Sequence, residues 1–247
     1  MKAPYWKRRG NLTEIAPVPR SRTLADRTYH HVKQLILTNV LRPGQTVTET
    51  WLAETLAVSR TPIRHAISRL SSEGLVTVER GRIQIRQILH DEARDLAEFR
   101  LAVEGYVAHL LATEGMSTKS FAEVEQISAR MAALITDQGT CRDFGAFMSC
   151  NREFHLALAE QLDNSMITEA VARAHDLLTI TRQTLNAIPG RPRAILEEHA
   201  AILSAIRERD AVAAEAAVAR HILAPLGAKG QEKEEQEESA AADTVRA

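Results

Sequence analysis

The alternation of apolar and polar positions is sharpest in one segment, LAETLAVSRTPIRHAISRLSSEGLV, which spans residues 52–76. Two runs of apolar residues recur there at helical spacing, and residues 57–58 separate them. Ser59 can cap the second run, and Pro62 fits a first helical turn, where a backbone N–H has no partner within the helix. The segment therefore predicts two helices joined by a tight turn. The apolar positions of the second helix are Ile63, Ala66, Ile67 and Leu70.

The opposite face of the second helix carries basic and hydroxyl side chains. Guanidinium groups bond guanine edges or phosphates, and short hydroxyls contact phosphate oxygens. This face therefore indicates a helix-turn-helix that reads DNA. The alternative is a helical hairpin whose arginines only keep the surface soluble. The side chains expected to face DNA are Arg60, Thr61, Arg64, Ser68 and Arg69.

Two short alternating runs follow this helix, at residues 75–78 and 82–86, with a turn at residues 79–81. They predict a pair of strands, and strands placed directly after a second helix form a wing, with Arg80 and Arg82 near its tip. The wing favours DNA binding over a plain hairpin. Residues 24–39 predict one further helix, which should pack behind the helix-turn-helix.

From residue 91 to Pro225 the periodicity is helical almost without interruption. The fold class predicted is therefore mainly α, with an N-terminal winged helix-turn-helix and a C-terminal all-helical bundle of six to seven helices. Cys141 and Cys150 fall nine positions apart in one predicted helix, on different turns, and are expected to be reduced core residues. Predicted helices span about 91–113, 118–137, 141–162, 164–187, 191–208 and 210–226.

Charge divides the chain unequally. Residues 1–90 hold 15 Lys or Arg against 6 Asp or Glu, whereas the remainder holds 16 against 26. The basic first third is suited to binding a polyanion such as DNA, and the acidic remainder is suited to a second domain that the polyanion does not contact. With 247 residues and 45% hydrophobic content, the chain has room for both. The expected divisions are a basic arm at 1–22, a winged-helix domain at 23–89, a helical domain at 90–227 and a solvated, disordered acidic tail at 228–247.

Segments for membrane insertion or export are not expected. The sequence has no run of about 18 apolar residues, and no apolar stretch follows the basic N-terminus. A cytoplasmic location without membrane association is therefore the expectation. The basic arm either lies along DNA phosphates or is a plain terminus, and the sequence favours neither.

Polar residues interrupt the apolar stripe of three predicted helices in the second domain. Asn151 and His155 lie one turn apart in the third helix, His199 lies in the fifth and His221 in the sixth. A buried imidazole without a partner costs about 1–3 kcal/mol. A single one is most simply a hydrogen-bonded core histidine, whereas three can converge on a divalent metal such as zinc or nickel. Both interpretations stay open on spacing alone. The histidines not expected to be ligands are His30, His31, His65, His90, His109 and His175.

Arg100 falls on the inward stripe of the first helix of this domain. Its guanidinium could hold the carboxylate of a small-molecule effector, or it could pair with Glu104 one turn later. An enzyme would use a three-imidazole metal with an open position to activate water. No carboxylate is clearly placed as a general base, and a winged helix would have no purpose in such an enzyme, so an enzyme is not expected.

The segment SRTPIRHAISRLSSEGLV resembles the signature of the GntR family of bacterial winged-helix transcription regulators. The resemblance implies that Ser59, Arg60, Thr61 and Arg64 meet DNA and that Gly81 enters the minor groove from the wing tip. His65 stands where the family usually has Glu. The family also implies a homodimer on a pseudo-palindromic, double-stranded operator, most often as a repressor of a catabolic operon.

Residues 91–226 resemble the all-helical FCD effector domain of the FadR subfamily. The elements that match are Arg100-x-x-x-Glu104, the [D/N]-x-x-F-H element that runs to His155, Glu198-His199 and His221. The resemblance implies a metal site at Asn151, His155, His199 and His221, with Asn151 where Asp is common, and a small carboxylate effector near the metal. The ion expected is zinc, with nickel or manganese as substitutes. A purely structural metal in a dimerisation domain is the remaining alternative.

Overall fold

The structure is a computed structural model, and it describes residues 23–88, 90–181 and 190–225. The first helix, α1 (Leu24–Leu37), begins at a capping box, in which Thr23 accepts a hydrogen bond from the Asp26 N–H and Asp26 accepts one from the Thr23 N–H. Its buried face packs behind the helix-turn-helix, as the sequence predicts. The predicted arm at 1–22 and tail at 228–247 lie outside the described residues.

The helix-turn-helix consists of α2 (Glu49–Thr55) and α3 (Arg60–Ser72). All four apolar positions predicted for the second helix are buried in α3. The turn between the helices places Ala57 at a positive φ of 52°. Ser59 occupies the N-cap position, but its side chain makes no capping hydrogen bond, so that detail of the prediction is wrong.

A three-stranded antiparallel sheet completes the first domain, with strand order β1-β3-β2. The wing is the hairpin of β2 (Val76–Glu79) and β3 (Arg82–Ile85), in which Glu79 pairs with Arg82. Arg80 and Gly81 form its two-residue turn, both at positive φ, the conformation that suits the twist of a hairpin. Strand β1 (Thr46–Thr48), which the sequence did not predict, pairs with β3.

The helical domain follows, and its helices lie near the predicted positions. Helix α6 begins at Phe144, because Asp143 caps it, and Cys141 precedes it in a β-bridge with Ile135. The prediction of one helix for both cysteines is therefore wrong, although both are free thiols. The predicted end of the fourth helix, beyond residue 181, lies outside the described residues. The helices are α4 (His90–Glu114), α5 (Thr118–Ala133), α6 (Phe144–Glu160), α7 (Ser165–Thr181), α8 (Arg191–Arg207) and α9 (residues 211–225).

Two large apolar cores hold the chain together, one in each domain. The helical core gathers side chains from α4 to α9, with Phe154 and Ile202 fully buried at its centre. The winged-helix core contains Val32 and Ile63, and it also receives Ile180 from the last turn of α7. Helix α7 therefore belongs to both cores and joins the domains. Within the described ranges, none of the helices has the length and apolarity needed to cross a membrane.

Candidate metal centre and DNA-reading surface

Three imidazoles from three helices meet inside the helical domain. His155 of α6, His199 of α8 and His221 of α9 are each at most 5% exposed. Their ring centroids form a nearly equilateral triangle with sides of 5.1, 5.0 and 4.9 Å. One ligand nitrogen from each ring lies within 4.8 Å of the other two. A tetrahedral zinc ion needs ligand nitrogens about 3.4 Å apart, so small rotations of the rings would complete such a site.

Asn151 adds an unsatisfied amide on the same face of α6, one turn before His155. Its side chain is fully buried, and neither its oxygen nor its nitrogen has a hydrogen-bond partner. Leaving a buried amide unsatisfied costs about 1–3 kcal/mol, and native proteins rarely do so without a reason. A cation beside the amide oxygen would supply the missing partner. The residues present therefore fit a bound metal.

A buried carboxylate orients the first imidazole. Glu104 of α4 lies 2.7 Å from His155 Nδ1, and Arg100 holds the same carboxylate at 2.5 Å from its Nε atom. Burial alone would raise the pKa of Glu104, but the charges of Arg100 and the nearby histidines outweigh it and hold that pKa well below its usual range. A bond at Nδ1 assigns Nε2 as the atom of His155 that would bind a metal, the usual support for a histidine ligand.

A second set of residues repeats this arrangement on α8 and α9. Glu198 lies 2.7 Å from His221 Nδ1, and Arg191 holds Glu198 with contacts of 2.5 and 3.0 Å. His199 is fixed differently, because its ring stacks on Phe154 with centroids 3.8 Å apart and planes 3° from parallel. Each of the three rings is thus held in one orientation by a neighbour. Glu198 matched the FCD element in the sequence, but neither it nor Arg191 was predicted to contact a histidine.

His175 of α7 joins a neighbouring cluster, although the sequence analysis set it apart from the ligands. Its Nε2 atom lies 3.2 Å from Glu104, and its ring stacks on His155 at 4.3 Å. Burial lowers the pKa of His175 well below its usual value, against the opposing charge of Glu104. Glu104, His155 and His175 could also hold a metal by their spacing. The Arg100 guanidinium bound to Glu104 already supplies a positive charge there, so the three-histidine cluster is the better cation site.

Arg100 is 1% exposed and takes the second of its two expected arrangements, the intrahelical pair with Glu104. A cavity of about 10 Å³ lies beside this pair, lined by Glu104, His155 and apolar side chains such as Val107 and Val171. Such a volume holds roughly one water molecule. A carboxylate effector would therefore need side chains around the cavity to move before it reached Arg100.

The predicted DNA contacts lie on the surface of the first domain. Ser59, Arg60, Thr61 and Arg64 are exposed at the start and outer face of α3. Both arginines also pair with Glu49 of α2, Arg60 at 3.3 Å and Arg64 at 3.3 and 3.4 Å. Hydrogen bonds from Arg64 are the main cause that lowers the pKa of Glu49. Exposed pairs of this kind contribute little to stability, so phosphates can replace Glu49 at low cost.

The remaining predicted contacts divide into two groups. Arg80 and Gly81 are exposed at the wing tip, as expected. Arg69 is half exposed, but its guanidinium lies 3.7 Å from the ring centroid of Tyr29 and pairs with Glu73 at 3.3 Å. The structure thus directs Arg69 towards α1, and its contact with DNA stays a prediction.

A winged helix-turn-helix joined to a helical domain with a buried histidine cluster defines a class of bacterial DNA-binding regulators. Residues 24–82 match the model of bacterial regulatory proteins of the gntR family, and residues 95–224 match the FCD domain. The chain therefore belongs to the GntR transcriptional regulators that carry an FCD domain. GntR regulators bind DNA, and FCD domains bind small-molecule effectors. The family consists of regulators rather than enzymes, which agrees with the expectation from the sequence.

Relatives of similar length share this organisation. The chain is 27% identical over 223 residues to the Uxu operon transcriptional regulator of Escherichia coli (strain K12), with 82% of this chain and 87% of that protein covered. It is 26% identical over 212 residues to LutR of Bacillus subtilis (strain 168), an HTH-type transcriptional regulator, with 76% of this chain and 93% of that protein covered.

Solved structures share the fold. McbR/YncC of E. coli aligns with a TM-score of 0.73 at 19% identity, covering 85% of this chain and 99% of that one. A GntR transcriptional regulator from Rhodococcus sp. RHA1 aligns with a TM-score of 0.66, also at 19% identity, covering 84% of this chain and 96% of that one. These alignments confirm the predicted fold class.

Proposed function

We propose that this protein is a cytoplasmic, ligand-responsive repressor that binds a pseudo-palindromic operator as a homodimer. A small carboxylate effector, bound beside a divalent metal in the helical domain, would release the protein from DNA or reposition it there. The observation that carries the proposal is the triangle of buried imidazoles in a chain that also has a DNA-reading head. An operon that degrades a carboxylate is the expected target.

The metal would be held by Asn151, His155, His199 and His221. Imidazole nitrogens with one amide oxygen suit zinc, with nickel or manganese as substitutes. Bound there, the metal would act as a Lewis acid that coordinates a carboxylate. The chain's own contribution is orientation, because Glu104 and Glu198 fix the rings of His155 and His221.

Arg100 is the proposed partner for the effector's carboxylate. Its charge is balanced by Glu104, which lines the small cavity together with His155. An effector carboxylate would share Arg100 with Glu104 or displace Glu104 from it. Either change would disturb the contact between Glu104 and His155, and this links effector binding to the position of α6 against α4.

The proposed DNA contacts are Ser59, Arg60, Thr61, Arg64, Arg69, Arg80 and Gly81. Support comes from the exposure of all seven residues on the helix-turn-helix and wing. A homodimer would place two copies of α3 in successive major grooves. An apolar stripe on α4 that includes Phe99 and Tyr106, 45% and 53% exposed, suits a contact between two copies.

One observation favours a second candidate, a regulator whose metal is only structural. The cavity beside the histidine cluster is too small for an effector as it stands. One experiment separates the two. Operator DNA is first selected from a random pool with the full-length protein, and its affinity is then measured with zinc while small carboxylic acids are screened. An effector changes the operator affinity of the wild type but not that of Arg100→Met. If the metal is only structural, no carboxylic acid should change the operator affinity, and chelation of the metal should lower the melting temperature.

A further inference from the structure

A row of alternating charges connects the DNA-reading helix α3 to α7 and α6, the helices that carry His175 and His155. Lys33 of α1 stands at its centre, where its Nζ atom lies 2.8 Å from Glu73 and 2.6 Å from Asp176. Glu73 is the C-cap of α3, whereas Asp176 belongs to α7. The Lys33 side chain is 15% exposed and that of Asp176 is 4% exposed. One lysine thus bonds both domains.

On the side of the helical domain, the row leads to residues next to the candidate metal centre. Asp176 accepts a hydrogen bond of 2.8 Å from Arg152 Nε of α6. Arg152 follows Asn151 in the chain, and Asp176 follows His175. A movement of α6 against α7 at the histidine cluster would therefore also change the position of Asp176 relative to Arg152 and Lys33.

On the side of the DNA-reading head, the row fixes the last turn of α3. Tyr29 donates a hydrogen bond of 2.6 Å to Glu73, and Arg69 covers the Tyr29 ring. Burial would lower the pKa of Lys33, but Asp176, Glu73 and Tyr29 together raise it above its usual value. Lys33 therefore stays charged at neutral pH, and both of its carboxylate partners stay bonded to one ammonium group.

We propose that Lys33 is a positioning residue that transmits the state of the candidate metal centre to the reading helix, through Asp176 on one side and Glu73 on the other. The proposal rests on the proposed function, since it concerns how the same site controls DNA binding. Ile180 also joins the domains, but apolar packing is not directional. If α7 moved alone, the largely buried pair of Lys33 and Asp176 would open and leave an uncompensated charge. We therefore expect α1 and α3 to move together with α7.

Hydrogen–deuterium exchange of the full-length protein, with zinc and with a chelator, tests this transmission. In the wild type, zinc should slow exchange in the ligand-bearing helices α6, α8 and α9 and in α7, and it should change exchange by about fivefold or more in α1 and α3. In Lys33→Met the effect on α6 and α7 should remain, while that on α1 and α3 falls below about twofold. Lys33→Arg should restore it. An effect on α3 that persists in Lys33→Met overturns the proposal.

A matched control comes from a cleft between the domains that Lys33 also lines. Arg130 of α5 lines that cleft, and among the contacts of the described residues it pairs only with Glu153 of α6, at 2.6 Å, within the helical domain. Arg130→Met removes a positive charge there but should leave the zinc effect on α3 as in the wild type. Asp176→Asn removes the charge that Lys33 contacts on α7. It should therefore abolish the zinc effect on α1 and α3 as Lys33→Met does, and it provides the test if Lys33→Met folds poorly. Retention of the α3 response in Asp176→Asn contradicts the proposal.

Failure of the metal site is distinguishable from failure of the transmission. If zinc leaves α6, α8 and α9 of the wild type unchanged, the proposed metal site is wrong. The transmission is then judged by His175→Gln, which perturbs the neighbouring cluster of Glu104, His155 and His175 without a metal. Its effect on exchange in α3 must disappear when combined with Lys33→Met. Disappearance supports the role of Lys33 independently of any metal, and an effect that persists overturns it.

Discussion

The Nδ1 atom of His221 lies 2.7 Å from a carboxylate oxygen of Glu198, and His155 has the same relation to Glu104. Each carboxylate is held in turn by an arginine, Arg191 or Arg100. A carboxylate that accepts a hydrogen bond from one ring nitrogen makes the other nitrogen a better metal ligand. The metal site can therefore be tested by changing residues that would not touch the metal.

Replacing Glu198 with Gln should weaken zinc binding by about tenfold to a hundredfold, because His221 loses the charge that orients it. Competition against a chelator of known affinity measures this change. Glu197→Gln is the matched control, since Glu197 is exposed and next to it in the chain. Equal zinc affinity in the two variants would argue against the role of Glu198.

Asn151→Asp should lower stability without metal and increase the stabilisation that zinc provides. In a chelator, the variant buries an uncompensated carboxylate and should melt at a lower temperature than the wild type. With zinc, the carboxylate is a stronger ligand than the amide, so zinc should raise the melting temperature more than it does in the wild type. Asn164→Asp serves as a control, because Asn164 is exposed and its side chain only accepts hydrogen bonds from backbone N–H groups at the start of α7. A zinc response no larger than that of the wild type would contradict the metal site.

Arg64→Ala should reduce operator affinity by about 1–3 kcal/mol, because it removes a guanidinium from the outer face of α3. Glu49→Gln should increase operator affinity, because it removes the carboxylate that competes with DNA for Arg60 and Arg64. Fluorescence anisotropy at fixed salt measures both. Arg94→Ala removes an equally exposed arginine of the helical domain and should have no effect. Unchanged affinity in Arg64→Ala would remove that residue from the DNA contacts.

The sequence predicts local structure well because local residues encode it. The apolar spacing of α3, the Arg80-Gly81 turn and the inward position of three histidines all follow from patterns within a few residues. Strand β1 escaped prediction because three residues carry too short a pattern, and their pairing with β3 joins positions far apart in the chain. Cys141 was misplaced because the predicted helix began at residue 141, whereas Asp143 caps α6 and Cys141 forms a β-bridge with Ile135.

The surroundings of the histidines could not be predicted for the same physical reason. His175 was not expected to be a ligand, and only the packing of α7 against α4 brings it to Glu104. Glu198 and Arg191 are seven residues apart, and only the folded geometry directs their pair at His221. The only signal in the sequence was that Glu198 directly precedes His199. Such a position is equally compatible with a surface charge and with a carboxylate that bonds a buried imidazole.

The bond between Lys33 and Glu73 predicts a pH dependence of stability. Burial raises the pKa of Glu73, but hydrogen bonds from Lys33 and Tyr29 outweigh it and lower that pKa below the usual 4.5. The carboxylate therefore contributes stability above about pH 4.5, and this contribution is lost as the pH falls through the lowered pKa. Lys33→Met should cost about 1–3 kcal/mol at neutral pH and less under acid conditions. Urea unfolding at about pH 7 and about pH 3.5 measures both values, and a cost that is constant or grows in acid would contradict this account.

The central claim is that loading the histidine cluster changes how the first domain binds DNA. The most direct measurement is the operator affinity of the full-length protein, at one salt concentration, with chelator, with zinc and with zinc plus a carboxylate found by thermal shift. The wild type should change affinity by about fivefold or more between these states, and His199→Ala should keep one affinity throughout. A wild type with the same affinity in all three states, or a His199→Ala variant that responds as the wild type does, would contradict the claim.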